Sequence, residues 1–546
     1  MPAHLDTRVL VVTGTLLAAD ERSARAALGK QLASMRASSG PWLDLRLKLL
    51  AAEELLAQRA ARRERGWWSD TVDRLFTDDG SDGTPELTEV LLATLLQAEG
   101  VPFEVASIAA LTGDAALRRE LLGRCGVVFL SSTLLRDASE LTAVVRLVRR
   151  PGTRLVVGGA LAPLLAPGWS GDPAIDVLAV GEGERLVPAL PAWVRGGELV
   201  APEGGEVVRA GPSLVVRAGP SPERTLDAWP CADWSLAMRV HGRTFPSAFY
   251  ESVRGCPYRC AFCNYPYLFD DQRFRTRSAR RIADDWTAMV EAGVRRITCL
   301  DSLFTLPPRR LDELCALLVE RDLPLEWICY ARADDLTDER RVAAMRAAGC
   351  VQVQIGVESG DDGMLRRMDK RTTVAQSALA LDVCRRQGVV TLCTFIAGYP
   401  GETRRTLRAT RDFVLRTRPD FYYLAPFTTR VLGVPVLSED SRRRHGIRTV
   451  QGITSSAPYW RHDTMSADEL PDLLREHNAT IVAAEAALDA TLFYPITARY
   501  RPADRAAMLA FQTRMARSAP WWRAGLRGVG TWVQRRLERD LQDVLD

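Results

Sequence analysis

Cys256, Cys260 and Cys263 stand close together in the segment RGCPYRCAFCN at 254–264. Spacings of four and three residues place three thiols on one compact loop, directly after an apolar run that predicts a β-strand. Iron–sulfur clusters are held by cysteine thiolates, and a [4Fe-4S] cube normally takes four of them. The spacing therefore predicts a [4Fe-4S] cluster on this loop, with one iron left open to a cofactor or substrate.

A zinc site, or three thiols without a shared ligand, could also produce such a motif. Zinc usually takes four ligands in paired spacing, and no second pair of cysteines follows here. Most of the eleven cysteines, such as Cys299, Cys329 and Cys393, lie in strand-like apolar runs and are typical of small buried side chains. The motif itself therefore favours the cluster.

An open iron has a defined chemistry with S-adenosylmethionine (SAM). This cofactor can chelate the iron through its amino and carboxylate groups. An electron from the reduced cluster then breaks the bond between sulfur and C5′ and yields a 5′-deoxyadenosyl radical. The elements around the motif must therefore supply acceptors and a donor for the charged groups and the ribose of this cofactor.

Strands and helices alternate over residues 1–200. After a helical, Arg- and Ala-rich insertion that extends to about residue 75, helices are predicted at 85–99, 114–123 and 136–150. Apolar strand-like runs fall at 8–12, 102–107, 126–131, 154–158 and 175–180. This alternation predicts a doubly wound parallel sheet whose ligand lies beyond the C-terminal strand ends. Candidate contacts at those ends are Ser131, Ser132, Gly158, Gly159, Gly181 and Glu182.

Residues 201–245, rich in Pro, Gly and Arg, predict a linker with a short hairpin. A second strand–helix series then follows, and it predicts a partial parallel β/α barrel over 246–434, with its chemistry on the loops after the strands. Its strands are expected near 248–253, 296–300, 326–330, 351–356, 390–396 and 420–425.

Residues 435–546 predict a C-terminal helical region that binds substrate or acts as a lid. Its notable features are the segment HDTM at 462–465 and the tryptophans Trp460, Trp521, Trp522 and Trp532. Such tryptophans are more often part of a core than of a substrate platform. The Arg-rich tail at 523–540 is more typical of a solvated helix face than of a docking site for an acidic partner.

Composition and charge indicate an ordinary globular protein. The chain has 546 residues, 47% of them hydrophobic and 26% charged, which is enough for about three or four domains. The net charge of +4 predicts no nucleic-acid partner. Neither a signal peptide nor an apolar run of about 18 residues is recognisable, so we expect a cytoplasmic protein with reduced thiols and no membrane contact.

The ordered motifs over residues 85–430 resemble the radical SAM superfamily, and the domain order resembles its subgroup with an N-terminal cobalamin-binding domain. GVESG at 356–360 is similar to the subgroup's GxESG motif, and FIAGYPGET at 395–403 is similar to its fifth-strand motif. The resemblance implies that Glu358 contacts the ribose or methionyl part of SAM. It also implies that the backbone from Ile396 to Gly398 packs along adenine.

Asp301 and Arg332 follow the second and third predicted barrel strands. The resemblance implies that residues at these positions contact the methionyl amino and carboxylate groups or line the substrate cavity. Taken singly, Glu358 fits better as a solvated carboxylate at a helix N-terminus, and Arg332 as part of a surface salt bridge. Their placement on consecutive strand ends of one barrel favours the cofactor role.

In the N-terminal domain, VVGGAL at 156–161 and IDVLAVGEGE at 175–184 are similar to the glycine motifs of the cobalamin-binding subgroup. The resemblance implies bound cobalamin at the strand-end residues named above. This chain departs from the family at Leu161, where His is usual, and at Thr13-Gly14-Thr15, where an Asn-Pro-Pro-like turn is usual. A generic Rossmann-like sheet with tight turns is the alternative.

Histidine is nearly missing from the N-terminal sequence. His4 is the only one in the first 240 residues, and no D-x-H-x-x-G segment occurs. A cobalamin bound there would therefore meet water, a non-histidine side chain or nothing on its lower face. A weak lower ligand favours Co(I), the nucleophilic state that accepts a methyl cation.

The resemblance implies a radical SAM enzyme that carries out cobalamin-dependent methylation of an unactivated carbon or phosphorus centre. The substrate would be a small molecule or a carrier- or peptide-bound group, and the electron donor an external protein of the flavodoxin or ferredoxin type. One alternative is a cyclisation or rearrangement on the same architecture. Another is a cobalamin sensor without enzymatic activity, against which the intact cysteine loop argues.

Overall fold

The computed structural model describes residues 7–14, 84–135, 138–267, 272–427, 433–449, 460–466 and 469–490, and scattered positions between 503 and 513. Several predicted features lie outside the described residues: His4, Thr15, the helical insertion up to about residue 75, Trp521, Trp522, Trp532 and the tail at 523–540.

The N-terminal sheet has seven strands in the order β2-β1-β3-β4-β5-β7-β6. They are β1 (Val9–Thr13), β2 (Phe103–Ser107), β3 (Val127–Ser131), β4 (Arg154–Gly158), β5 (Val177–Val180), β6 (Glu206–Ala210) and β7 (Ser213–Arg217). Every residue of β1, β3 and β5 is buried, as expected of a parallel sheet with both faces covered. The doubly wound parallel sheet is confirmed.

The hairpin of β6 and β7 corrects the predicted linker. β7 pairs in parallel with β5, from Val177 opposite Leu214 to Val180 opposite Arg217, and β6 pairs antiparallel with β7. Val215 and Val216 are buried, so the apolar side chains of β7 extend the core of the sheet. Residues 206–217 are therefore an edge of the N-terminal sheet.

Helices cover the faces of this sheet and precede the barrel. They are α1 (Leu87–Ala98), α2 (Ile108–Gly113), α3 (Ala115–Arg124), α4 (Ala138–Val148), α5 (Ala162–Leu165), α6 (Gly183–Leu186), α7 (Pro191–Val194) and α8 (Trp234–His241). Ser107 and Asp114 begin α2 and α3 by accepting hydrogen bonds from backbone N–H groups in the first turn.

The second sheet also has seven strands, all parallel, in the order β19-β15-β14-β13-β12-β11-β8. They are β8 (Ser247–Tyr250), β11 (Arg296–Cys299), β12 (Glu326–Ala331), β13 (Cys350–Glu358), β14 (Val390–Ala397), β15 (Phe421–Pro426) and β19 (Leu488–Asp489). Six of them coincide with the predicted barrel strands. The seventh, β19, comes from the C-terminal region.

The barrel helices are α9 (Ala279–Glu291), α10 (Pro308–Arg321), α11 (Glu339–Ala347), α12 (Asp362–Arg367), α13 (Val374–Arg386) and α14 (Arg404–Thr417). Thr373 and Thr403 begin α13 and α14 with capping boxes. Buried aromatic rings pack between helices and strands: the Trp327 centroid lies 5.8 Å from that of Trp286 and 5.3 Å from that of Phe304.

Short strands frame the barrel mouth. β9 (Val253–Arg254) and β10 (Arg275–Thr276) form a two-stranded antiparallel ladder. β16 (Arg448–Thr449), β17 (Trp460–His462) and β18 (Met465–Ser466) form a small sheet, beside helices α15 (Glu439–His445) and α16 (Leu470–Ala483). The described part of the C-terminal region thus contains strands as well as the predicted helices. None of the helices described is long and apolar enough to cross a membrane.

Candidate active site

The three motif cysteines lie on residues 255–267, which we call the cluster loop. Their side chains are half-buried, whereas Cys299, Cys329 and Cys393 are buried in strands. The loop leaves β9 at Gly255, whose φ of +78° favours glycine and where a Cβ would overlap the Arg273 carbonyl group. This tight turn brings the thiols out of the sheet and toward the barrel mouth.

The surroundings of the thiols fit an anionic cluster. Burial raises the pKa of Cys260, while the cations of Lys370 and Arg332 act in the opposite direction. Burial also raises the pKa of Cys263 to about 11, against a hydrogen bond from the Tyr265 backbone N–H. Thiolates are the ligating form of cysteine, and both cations and N–H donors stabilise them. The donor set at the loop therefore fits an iron–sulfur cluster.

Among the residues described, no three His, Cys, Asp or Glu side chains lie close enough together to hold a single metal ion. The ligands of a four-iron cube are spaced more widely than those of one ion, so this finding and the cluster loop are compatible.

Glu358 stands at the end of β13, where the pairing with β14 shifts register between Gly356 and Glu358. Its φ is +67°, an uncommon backbone conformation for a residue with a side chain. The carboxylate is buried and lies 2.8 Å from the Lys370 ammonium group. A Cβ at Gly356 would overlap this carboxylate, so the glycine of the GxESG motif makes room for the ion pair.

Lys370 is a functional candidate that the sequence motifs do not identify. Its ammonium group lies 5.9 Å from the Phe262 ring centroid, beside the cluster loop. The loop is also held to the residues before Lys370, because the Ala261 backbone N–H donates to the Met368 carbonyl group at 2.8 Å. The one signal in the sequence is rarity: Lys30, Lys48 and Lys370 are the only lysines in a chain rich in arginine.

Arg332 packs against the cluster loop from the end of β12. Its guanidinium carbon lies 3.7 Å from the centroid of the Tyr258 ring, and its Nε donates to Asp334 at 2.9 Å. The residue is only 3% exposed, so a simple surface salt bridge does not describe it. Arg332 and Lys370 thus place two positive charges near Cys260.

Asp301 binds the chain between β8 and the cluster loop. Its Oδ1 accepts the backbone N–H groups of Ser252 and Val253, at 2.6 and 2.7 Å, and its Oδ2 accepts the Ser252 hydroxyl group at 2.7 Å. Burial raises the pKa of this carboxyl group to about 6. Because all three donors belong to the chain before the cluster loop, the geometry gives Asp301 a structural role, and its contact with SAM stays a prediction.

The fifth-strand motif is covered by the C-terminal strand β17. The Gly398 N–H donates to Glu402 Oε2 at 2.5 Å, and the Gly398 carbonyl group lies 3.3 Å from His462 Nε2. A Cβ at Gly398 would overlap the Trp460 ring, which stacks on His462. Ile396 remains half-buried at the end of β14. Its contact with adenine, and that of Gly398, stay predictions.

Polar groups at the ends of β3 and β4 in the N-terminal sheet form hydrogen bonds with one another. Ser132 Oγ donates to the Gly158 carbonyl group at 2.6 Å and accepts the Leu161 N–H at 3.2 Å. Ser131 Oγ donates to the Thr133 hydroxyl group at 3.1 Å, and a Cβ at Gly159 would come within 2.7 Å of Thr133. These contacts join the ends of β3 and β4.

At these strand ends several glycines leave the backbone uncovered by side chains. Gly159 is exposed, Gly14, Gly158 and Gly181 are half-buried, and the nearby side chain of Leu134 is 40% exposed. Glycines at neighbouring strand ends together with an exposed apolar side chain fit the face of a flat ligand such as a corrin ring. Cobalamin contacts at Ser131, Ser132, Gly158, Gly159 and Gly181 remain predictions.

Glu182 differs from the other strand-end residues. Its carboxylate is buried and forms an ion pair with Arg275, and Arg254 Nη1 lies 3.5 Å away. Its side chain therefore points toward these two arginines at the barrel. The carboxylate thus joins the N-terminal sheet to the β9–β10 ladder, and its contact with cobalamin stays a prediction.

Residues 250–414 match the radical SAM superfamily. Anaerobic magnesium-protoporphyrin IX monomethyl ester cyclase of Rubrivivax gelatinosus is 28% identical over 268 residues, which are 47% of this chain and 47% of the relative. The chain thus spans about half the length of this curated relative.

Two solved structures share the fold. TsrM from Kitasatospora setae, a radical S-adenosylmethionine methyltransferase with cobalamin and a [4Fe-4S] cluster bound, is 16% identical with a TM-score of 0.56, over 86% of this chain and 98% of that one. OxsB, a cobalamin-dependent S-adenosylmethionine radical enzyme with aqua-cobalamin bound, is 15% identical with a TM-score of 0.58, over 79% of this chain and 68% of that one. Both likenesses therefore extend well beyond the barrel residues 250–414.

Proposed function

We propose that this chain, whose residues 250–414 belong to the radical SAM superfamily, is a cobalamin-dependent methyltransferase acting on an unactivated carbon or phosphorus centre. The observation that carries the proposal is the cluster loop, with three half-buried thiols beside the cations of Lys370 and Arg332 at the mouth of a parallel barrel. A small metabolite or a carrier- or peptide-bound group is the proposed substrate.

Each cofactor has residues that fit it. Cys256, Cys260 and Cys263 would hold the cluster, and when bound, the cluster with SAM supplies a radical and cobalamin supplies a methyl group. The Arg332 guanidinium and the Lys370 ammonium groups are suited to the carboxylate of SAM, and the Glu358 carboxylate to its ribose hydroxyl groups. The glycine-lined edge of the N-terminal sheet is suited to the corrin ring.

Side chains of this protein hold charged groups in place beside the cluster loop and keep water out of the barrel mouth. Arg332 is fixed by the Tyr258 ring and by Asp334, so its charge is preorganised beside the cluster loop. Strand β17 covers the fifth-strand motif with Trp460 and His462, both buried, which shields that side of the barrel mouth. A radical reaction needs such exclusion of solvent and no general base. We propose an external donor of the flavodoxin or ferredoxin type for the electron.

Cyclisation is a second candidate, because the similar protein from Rubrivivax gelatinosus is named a cyclase. Product analysis separates the two activities. A radical methyltransferase forms S-adenosylhomocysteine together with 5′-deoxyadenosine, whereas a cyclase or another non-methylating enzyme forms 5′-deoxyadenosine alone. A sensor without enzymatic activity forms neither product.

The cluster assignment is tested with Cys260→Ala in the full chain, reconstituted anaerobically with iron and sulfide. We expect loss of the cluster absorbance and of 5′-deoxyadenosine formation from SAM under dithionite. Cys231→Ala is the control, because Cys231 is also half-buried but lies off the cluster loop. Survival of the absorbance or of SAM cleavage in Cys260→Ala would contradict the proposal.

Cobalamin binding is tested on the wild-type chain purified anaerobically with added hydroxocobalamin. We expect iron and cobalt in the same preparation. Iron without cobalt would remove cobalamin from the proposal, and cobalt without iron would favour the sensor.

A further inference from the structure

We propose that Glu182 and Glu184 of the N-terminal domain clamp the segment 255–274, which contains the cluster loop, at both ends through Arg254 and Arg275. In this arrangement Arg254 and Glu184 are positioning residues that set the cluster loop relative to the glycine edge of the N-terminal sheet. The inference deepens the proposed function and rests on it, because it concerns the spacing between the two cofactor sites.

The two arginines flank the segment 255–274 that contains the cluster loop. Arg254 is the last residue of β9, immediately before Gly255, and Arg275 is the first residue of β10. They stand directly opposite each other in the antiparallel ladder. A displacement of this pair therefore moves both ends of the segment that carries Cys256, Cys260 and Cys263.

Two like charges opposite each other in a ladder are destabilising, and burial makes them more so. Arg254 is only 7% exposed and Arg275 only 2%. Acidic side chains from the N-terminal domain compensate them. Glu182 forms ion pairs with both arginines, and Glu184 accepts two bonds from Arg254, at 3.0 and 2.7 Å.

The pair of Glu184 and Arg254 is a directional contact. A carboxylate facing two guanidinium nitrogens fixes angle as well as distance, which a lysine ammonium group cannot do. Burial by itself raises the pKa of Glu184, but the charge and hydrogen bonds of Arg254, a backbone hydrogen bond and the Arg277 charge together outweigh it, and the pKa lies below its ordinary value. Both partners are therefore charged, and their side chains are only 9% and 4% exposed.

Trp229 completes the clamp from the segment between the two sheets. The guanidinium carbons of Arg254 and Arg275 lie 4.9 and 5.0 Å from the centroid of its ring. Stacking of this kind restricts the plane of a guanidinium group. The positions of the two arginines thus depend on Glu182, Glu184 and Trp229, which all lie outside the cluster loop.

The two glutamates of the clamp follow directly on the glycine-lined edge of the N-terminal sheet, where we propose that cobalamin binds. Glu182 follows Gly181 after β5, and Glu184 lies in α6. Gly181 has a φ of +118°, and a Cβ there would lie 2.7 Å from Ala218 Cβ, so this turn is rigidly packed. One short segment, 181–184, therefore connects the proposed cobalamin edge with the cluster loop.

The first experiment is amide hydrogen exchange on the full chain purified anaerobically, without cobalamin. Glu184→Gln and Arg254→Lys should accelerate exchange at 254–256 and at 181–186 by at least about tenfold, since each loses charge-assisted hydrogen bonds. Glu251→Gln is the matched control, because Glu251 binds the same guanidinium group at 2.9 Å but belongs to the barrel segment. It should leave 181–186 unchanged.

The second experiment reports on the position of the cluster relative to cobalamin. Each protein is loaded with cob(II)alamin, its cluster is reduced, and the spin–spin interaction between the two centres is measured by electron paramagnetic resonance. Glu184→Gln and Arg254→Lys should retain the iron content of the wild type but show an altered or broadened interaction, whereas Glu251→Gln should match the wild type.

Unchanged exchange in Glu184→Gln and Arg254→Lys, or equal effects of Glu251→Gln, would overturn the clamp. Faster exchange with an unaltered spin–spin interaction would overturn the positioning role. Should Glu184→Gln fail to fold, Glu184→Asp, which keeps the charge and shortens the reach, takes its place with the same expectations. Should the wild type bind no cobalamin, the proposed function fails, and the exchange experiment alone still decides whether the clamp exists.

Discussion

The Lys370 ammonium group lies 2.8 Å from the Glu358 carboxylate, and both side chains are buried beside the cluster loop. Neither charge has an ion-pair partner of comparable proximity among the residues described. The pair therefore holds a carboxylate at the end of β13 and a cation near Cys260 in one fixed arrangement.

Removal of the cation alone should be strongly destabilising. Lys370→Met leaves the Glu358 carboxylate buried without its partner, for which we expect a loss of about 3 kcal/mol in the free energy of unfolding. Anaerobic denaturant unfolding measures this loss. The neighbouring Arg371→Met is the control, because Arg371 and Asp369 form an exposed pair that contributes about 0–1 kcal/mol. Equal effects of the two substitutions would contradict a special role of the buried pair.

Gly398 is expected to tolerate no side chain. Its φ is +80°, and a Cβ would lie 2.6 Å from Trp460 Cζ2 in a fully packed region. Gly398→Ala should cost about 3 kcal/mol or more, from backbone strain and overpacking together. Gly388→Ala isolates the strain, since Gly388 has a φ of +67° but open space around it, and should cost about 1 kcal/mol. Thermal unfolding of both variants tests this difference, and similar losses would refute the steric argument.

Glu402 should make stability fall as pH rises. Burial raises the pKa of its carboxyl group to about 8, so between about pH 6.5 and 8 the folded chain retains a proton that the unfolded chain has released. The loss amounts to about 2 kcal/mol over that range. His462, with a pKa lowered by burial to about 4, is neutral in the folded chain throughout it.

Glu402→Gln keeps the acceptor for the Gly398 N–H but cannot ionise. Its stability relative to wild type should rise by about 2 kcal/mol from about pH 6.5 to 8, as followed by denaturant unfolding at each pH. The exposed Glu320→Gln should leave the pH dependence unchanged. Parallel curves for wild type and Glu402→Gln would show that the buried carboxyl group is ionised.

Asp301→Asn separates a structural role from a cofactor contact. The amide nitrogen would replace an acceptor of the Ser252 hydroxyl group, and we expect a loss of about 2 kcal/mol in stability with little change in SAM affinity. Unfolding and SAM binding to the reconstituted protein are the two measurements. A tenfold weaker affinity with unchanged stability would instead support the cofactor contact. Asp312→Asn, in an exposed pair with Arg341, should change neither quantity.

The strands and the cysteine loop are predictable because they depend on local sequence. Apolar runs separated by helical patterns place β1 to β5 of the first sheet and six strands of the second to within a few residues, and three cysteines within eight positions define a candidate ligand loop without reference to distant residues. Local sequence also predicts a hairpin between the two domains. Its attachment to β5 is not predictable in this way, since strand pairing there depends on residues 37 positions apart, such as Val177 and Leu214.

The sequence by itself determined which residues we propose as ligands of the cluster, because thiolate spacing is a property of one short segment. Only the tertiary structure decided what the carboxylates do. Glu182 meets Arg275 across 93 positions, and Asp301 meets Ser252 across 49. A carboxylate at a strand end can bind either a ligand or an arginine side chain. Its role depends on which opposite charge the fold buries beside it.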